Sequence, residues 1–179
     1  MSFKNISQLF LVGFLGLTLI GCSSTPKNVE DDNSKEIAAS QVDADIEAAK
    51  RAAAEKAAAD LAAKKAELKA MIDGKVVHFD FDRSDVRPDD YQLIKANADY
   101  MALESNASLT IKGYCDERGT REYNLALGER RAKAVQNALV AEGVSPSRIT
   151  VISFGEDNPV DEAHNENAWS KNRRAEFSY

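Results

Sequence analysis

An α/β sandwich is the fold class this chain predicts, and three observations predict it. Residues 76–81 and 149–154 alternate apolar and polar side chains, the period of half-buried strands. Residues 88–103 and 123–142 instead repeat apolar side chains every three or four positions, the period of a helix covered on one face. Read in order, these and the shorter segments give β-α-β-α-β-short helix-β, and such interleaving buries strand and helix faces against one another in layers.

The N-terminus is set aside before the fold. Lys4 precedes an apolar run at residues 9–20 and then Gly21-Cys22, an export pattern with too short a core to span a membrane stably. Leu19-Ile20-Gly21-Cys22 resembles a bacterial lipobox. That resemblance implies a lipoprotein signal peptide at residues 1–21, with Cys22 acylated as the first mature residue. Cysteine suits the role because its thiolate is the nucleophile that accepts the lipid. At about 0.8 kcal/mol per buried methylene, diacylglycerol plus an N-acyl chain anchors durably what a single chain holds only marginally. Ser23, where Asp would signal inner-membrane retention in the lipoprotein class, implies the outer membrane.

Residues 22–35 have almost nothing to bury and predict a lipid-anchored disordered spacer. Residues 36–73, rich in Ala, Lys and Glu, predict a helical tether, with Glu47/Arg51 and Asp60/Lys64 spaced for i,i+4 pairing. Large apolar residues there are too sparse for a sustained heptad seam, so the tether reads as a semi-rigid spacer, with a coiled coil as the alternative. Gly74 closes this helix, and residues 74–179 form the folded domain.

Within the domain, Val77, Phe79 and Phe81 point to one face of the first strand. Pro88 suits the first turn of a helix whose buried stripe is Tyr91, Ile94, Ala98 and Met101. Leu109 and Ile111 mark a strand at residues 108–112. The next helix carries Leu125, Gly128, Ala132, Val135 and Leu139 on one stripe, and small Gly128 and Ala132 imply close approach to the sheet. Gly143 and Pro146 stop it, residues 149–154 form the third strand, and residues 174–179 form the fourth.

The net charge of −6 argues against a general nucleic-acid surface. With Cys22 lipidated, Cys115 has no partner for a disulfide, so stability rests on an ordinary core. His78 and His164 have no metal-site spacing, and Asp80, Asp82 and Asp85 lack the glycine and terminal glutamate of a calcium loop; no metal or cofactor is expected. Adjacent carboxylates such as Asp116 and Glu117 raise glycan hydrolysis as a rival function. No nucleophile elbow, zinc signature or base-nucleophile arrangement accompanies them, so no catalytic residue is assigned.

Chemistry concentrates in Gly113-Tyr114-Cys115-Asp116-Glu117-Arg118-Gly119-Thr120, at the C-terminal end of a strand and followed by Arg131 on the next helix. A carboxylate and a guanidinium held close together can read a zwitterion. The residues alone leave alternatives open: Asp116 could cap its own loop, and Arg131 could be a solvated or ion-paired helix residue.

The same loop, continued by Arg121-Glu122-Tyr123-Asn124 and followed by Leu127-Gly128-Glu129-Arg130-Arg131-Ala132 and Lys171-Asn172-Arg173-Arg174-Ala175, resembles the peptidoglycan-associated lipoproteins within the OmpA C-terminal-like domain family. The resemblance runs over residues 76–179 and implies a single OmpA-like two-layer sandwich with a mixed sheet, behind the lipidated, Ala-rich tether. It implies non-covalent binding of the peptidoglycan stem peptide through meso-diaminopimelate, with Asp116 accepting from the ammonium and Arg131 clamping the carboxylate. Phe81, Asp82 and Leu127 surround the ligand in the family pattern, and Asn172, Arg173 and Arg174 are secondary or supporting. It further implies an outer-membrane lipid anchor through Cys22, a folded domain in the periplasm, and membership of the Tol system with a TolB-like propeller as partner. Tyr114-Cys115 departs from the family, where many relatives carry His or Asn and then a small residue.

Overall fold

The computed structural model describes residues 32–179. The signal peptide expected at residues 1–21 and the lipidation site Cys22 lie outside the described residues, as does the spacer as far as residue 31. The chain divides into two compact units, residues 1–48 and 49–179. In the first, the described part is helical and belongs to α1 (Asp32–Ile72). The helix thus starts four residues before the expected position, taking residues 32–35 from the spacer.

In the second unit, β1 (Val76–His78), α2 (Tyr91–Leu103), β2 (Leu109–Tyr114), α3 (Arg121–Ala141), β3 (Ile149–Gly155), α4 (Glu166–Asn172) and β4 (Arg174–Ser178) follow the predicted order. Short 3-10 turns at Pro88–Asp90 and Pro146–Arg148 lead into α2 and β3. The sheet order is β1-β4-β2-β3. β4 runs antiparallel to both β1 and β2, while β2 and β3 are parallel, so the sheet is mixed. Val77, Phe79, Ile111 and Ala175 from the sheet side meet Ile94, Met101, Ala132, Val135 and Leu139 from α2 and α3 in one core.

Gly113 and Gly128 fix how closely β2 and α3 meet. A Cβ on Gly113 would sit 1.9 Å from the Gly128 carbonyl oxygen, and one on Gly128 would sit 2.5 Å from Ser153 Oγ. No larger residue fits at either position without moving a helix against the sheet.

Three sequence expectations change. The first strand ends at His78 rather than continuing through Phe81. Phe79 still donates its N–H to the Arg173 carbonyl, but the chain then turns, with Arg83 N–H bonded to the Asp80 carbonyl, and Phe81 leaves the sheet. Tyr91 is exposed, because α2 turns Ile94, Ala98 and Met101 inward and adds Ala96 and Asn97 to its buried residues. Leu125 is only half-buried, and Asn124 and Leu127 take the inner positions of the first turns of α3.

The domain also begins earlier than Gly74. Leu68 and Ile72, one turn apart on α1, are buried in a small cluster with Ala96, flanked by Leu93, Tyr100 and Leu103. Lys65 pairs with Glu104 at 2.8 Å beside it. The last turns of α1 therefore contribute apolar burial to the domain. Among the described residues no helix is long and apolar enough to cross a membrane.

Candidate functional site

A cavity of about 210 Å³ lies at the C-terminal end of β2 and the start of α3. Phe81, Asp82, Asp116, Leu127 and Arg131 all line it, so the structure brings together the five residues that the sequence singled out as primary. Cys115, Arg118, Gly119, Tyr123 and Asn124 complete the wall.

Asp116 lies two residues past the end of β2 and is 4 % exposed. Its Oδ1 accepts from the Arg118 backbone N–H and from Arg118 Nε, each at 3.1 Å. Its Oδ2 accepts from Arg118 Nη2 at 2.7 Å and from Arg173 Nη1 at 3.2 Å. Burial pushes this carboxyl upward, but the bonds from Arg118 and Arg173 outweigh it and hold the group below the usual carboxylate range. Asp116 is thus an ionised acid that also caps its own loop.

Arg131 enters from the middle of α3 and is fully buried. Its Nε donates to the Arg83 carbonyl at 2.8 Å, Nη1 to the Tyr114 carbonyl at 2.8 Å and Nη2 to the Asp80 carbonyl at 3.1 Å. Three of the five N–H donors of a guanidinium are therefore committed to backbone. These bonds hold the turn after β1, and they explain why Phe81 is carried out of the sheet to the cavity rim.

Asp82 has a left-handed φ of 56°, a region that Asp tolerates better than most residues. Its carboxylate accepts the Tyr123 hydroxyl. Thr120 caps α3 by accepting from the Tyr123 N–H, which fixes that tyrosine at the rim. Leu127 is buried and apolar beneath them. Cys115 is buried too, its thiol donating to the Asn124 carbonyl at 3.2 Å, and burial pushes the thiol up to about 11.

The secondary residues divide. Arg173 supports the site: besides Asp116, it reaches the Phe79 carbonyl at 3.0 Å and Glu166 at 2.6 Å. Asn172 and Arg174 do not line the cavity. Asn172 Oδ1 accepts from the Val160 and Asp161 N–H groups, and its Nδ2 donates to the Asp161 carbonyl, so it pins a loop. Arg174 binds Glu176 and the Asn172 and Asn158 carbonyls, with its guanidinium 3.8 Å from the Tyr114 ring centroid.

Sequence reasoning missed Arg118 and, among the residues that position it, Trp169. The Arg118 side chain is 30 % exposed, and its guanidinium lies 4.0 Å from the Phe81 ring centroid and 4.2 Å from that of Trp169. The Asp116-Glu117-Arg118 spacing, acid and guanidinium two apart in a loop, was the available signal. A larger groove of about 420 Å³ beside this loop is lined by Glu117, Glu156, Asp157, Asp161 and Glu162 among others. Arg121 pairs with Asp157 and Lys171 with Asp161, each at 2.7 Å. Among the described residues no group of three or more His, Cys, Asp or Glu could hold a metal ion.

Comparison with known proteins matches residues 78–173 to the OmpA family. The chain is 45 % identical over 100 residues to the peptidoglycan-associated lipoprotein of Pseudomonas aeruginosa, a match covering 56 % of this chain and 59 % of that protein. It is 42 % identical over 115 residues to the protein of the same name from Pseudomonas putida, covering 64 % of this chain and 67 % of the relative. The likeness thus spans about three fifths to two thirds of these relatives. Among solved structures, the peptidoglycan-associated lipoprotein from Burkholderia pseudomallei superposes with a TM-score of 0.60 at 39 % identity, covering 61 % of this chain and 92 % of that one.

Proposed function

The chain belongs to the OmpA family, and from that premise we propose that it is an envelope lipoprotein that binds peptidoglycan non-covalently through the meso-diaminopimelate of the stem peptide. Its work is binding, not catalysis. The observation that carries this reading is the single cavity in which a buried, ionised Asp116 and a buried Arg131 converge with the aromatic rim of Phe81. Diaminopimelate ends in an ammonium and a carboxylate on one carbon, so a site with one acid and one guanidinium matches it in charge and scale.

In this reading Asp116 takes the ammonium. Arg131 supplies positive charge from the cavity floor, with the two N–H donors that its backbone bonds leave over. Phe81 and Leu127 pack on the methylenes of the ligand, and Asp82 orients the peptide at the rim. Arg173 holds Asp116 in place, while Asn172 and Arg174 brace the loop behind it. Acylated Cys22 anchors the protein in the outer membrane, α1 serves as the tether, and the domain meets the wall in the periplasm. Exposed Phe81 and Tyr123 beside the cavity suit a protein partner on the same face, a TolB-like propeller of the Tol system.

The test is co-sedimentation of the full chain with purified sacculi. Wild type pellets with diaminopimelate-type sacculi, and Asp116→Ala, checked for native circular dichroism, stays in the supernatant. Wild type remaining in the supernatant would remove wall binding as the function.

A further inference from the structure

The acid that is to receive the ligand is already full. A carboxylate offers about four lone-pair sites, and those of Asp116 meet three donors of Arg118 and one of Arg173. Arg131 below it is fully buried. No ammonium reaches Asp116 until a donor leaves, and the donor free to leave is the Arg118 side chain. It is 30 % exposed and lines the cavity, whereas Arg173 is 8 % exposed and tied also to the Phe79 carbonyl and Glu166.

We infer that Arg118 is the specificity-determining residue of the site, and that ligand enters by exchanging ion pairs with Asp116–Arg118: the ligand ammonium replaces the guanidinium on Asp116, and the ligand carboxylate takes the guanidinium so released. This rests on the wall-binding reading above. The two aromatic rings flanking the guanidinium, Phe81 and Trp169, keep it at the rim when its bonds to Asp116 break. A ligand carrying both charges on one carbon re-pairs both partners. A ligand with an ammonium alone, such as a lysine-type stem peptide, breaks two charge-assisted side-chain bonds and returns a partner only to Asp116. The released guanidinium is then left with Glu166 Oε2, 3.6 Å away and largely exposed. Discrimination against lysine thus comes from an ion pair inside the protein, and Arg131, its donors on three carbonyls, need not supply it.

Calorimetric titration of the full chain with a stem tripeptide ending in meso-diaminopimelate, and with its lysine counterpart, tests this in wild type, Arg118→Gln, Arg118→Lys and Asp116→Asn. Wild type prefers the diaminopimelate peptide. Arg118→Gln, with an unobstructed Asp116, narrows that preference by about tenfold, chiefly by binding the lysine peptide more tightly. Arg118→Lys, which keeps the charge but not the planar fork, falls between them. Asp116→Asn binds neither peptide. A wild-type preference retained in both Arg118 variants overturns the inference while leaving wall binding intact, and so does loss of all binding in a folded Arg118→Gln. Wild type binding neither peptide overturns the underlying reading as well.

Discussion

Arg131 and Arg118 line the same cavity with the same guanidinium and differ in almost everything else. Arg131, in the floor, is sealed from solvent and spends its donors on the carbonyls of Asp80, Arg83 and Tyr114. Arg118, at the rim, is partly exposed and bonds the carboxylate that the proposed ligand would also engage. A buried guanidinium among backbone acceptors is part of the framework, since three carbonyls each lose a donor when it is removed. An exposed one on a carboxylate is exchangeable, because water and ligand both offer substitutes. The chemistry of an arginine here is set by its burial and partners.

The sharpest way to break that contrast is Arg131→Ala. Three carbonyls each lose a donor, and the turn that carries Phe81 and Asp82 loses much of its hold, for a destabilisation on the order of 4 kcal/mol by urea titration. Lysine is not expected to rescue it, since a point-like ammonium cannot span three carbonyls in one plane. A loss below about 1 kcal/mol would mean that the floor is not a framework.

Gly113→Ala attacks the floor from beneath. Its Cβ would sit 1.9 Å from the Gly128 carbonyl oxygen, so β2 and α3 must separate, and Asp116 and Arg131 with them. The expected cost is about 3 kcal/mol, read from the same denaturant curve. Arg118→Ala, by contrast, should cost only about 1 kcal/mol, because its ion pair is partly solvated and Arg173 still satisfies Asp116. If Arg118→Ala destabilised as much as Arg131→Ala, the division into floor and rim would fail.

The finest test is acid titration. The Asp116 carboxyl sits below its ordinary value of 3.8 in the folded protein, so its contribution is complete above that value and is lost as pH falls through the lower folded one. Arg118→Ala removes the largest of the interactions that lower it. Less stability should therefore be lost below pH 3.8 in Arg118→Ala than in wild type, and Asp116→Asn should erase the difference. Identical acid limbs in wild type and Arg118→Ala would show that Arg118 does not hold the carboxyl ionised.

Much of this was legible beforehand where the signal is local. Strand and helix order followed from periods of two and of three to four, and Gly128 and Ala132 announced the close contact with β2 by their size alone. The expected strand through Phe81 was read from an alternation that continues after the backbone has turned. What ends that strand is Arg131, 51 residues from Asp80 in sequence, and no local pattern records such a bond. Tyr91 fits the helical stripe by spacing but is exposed, because the helix turns Ile94, Ala98 and Met101 inward instead. Leu68 and Ile72 read as part of a solvated spacer, since nothing in their neighbourhood announces Ala96, Tyr100 and Leu103 as partners.

By itself the sequence determined the order of the elements and the loop that ends β2, since periodicity and turn chemistry are properties of neighbouring residues, while the set of residues expected around that loop came from its resemblance to a family. Only the tertiary structure decided which guanidinium faces the acid and which is consumed in holding the backbone. The number of hydrogen-bond sites on Asp116 and Arg131 is fixed by their chemistry, but which are left for a ligand depends on carbonyls and side chains that folding brings from far along the chain.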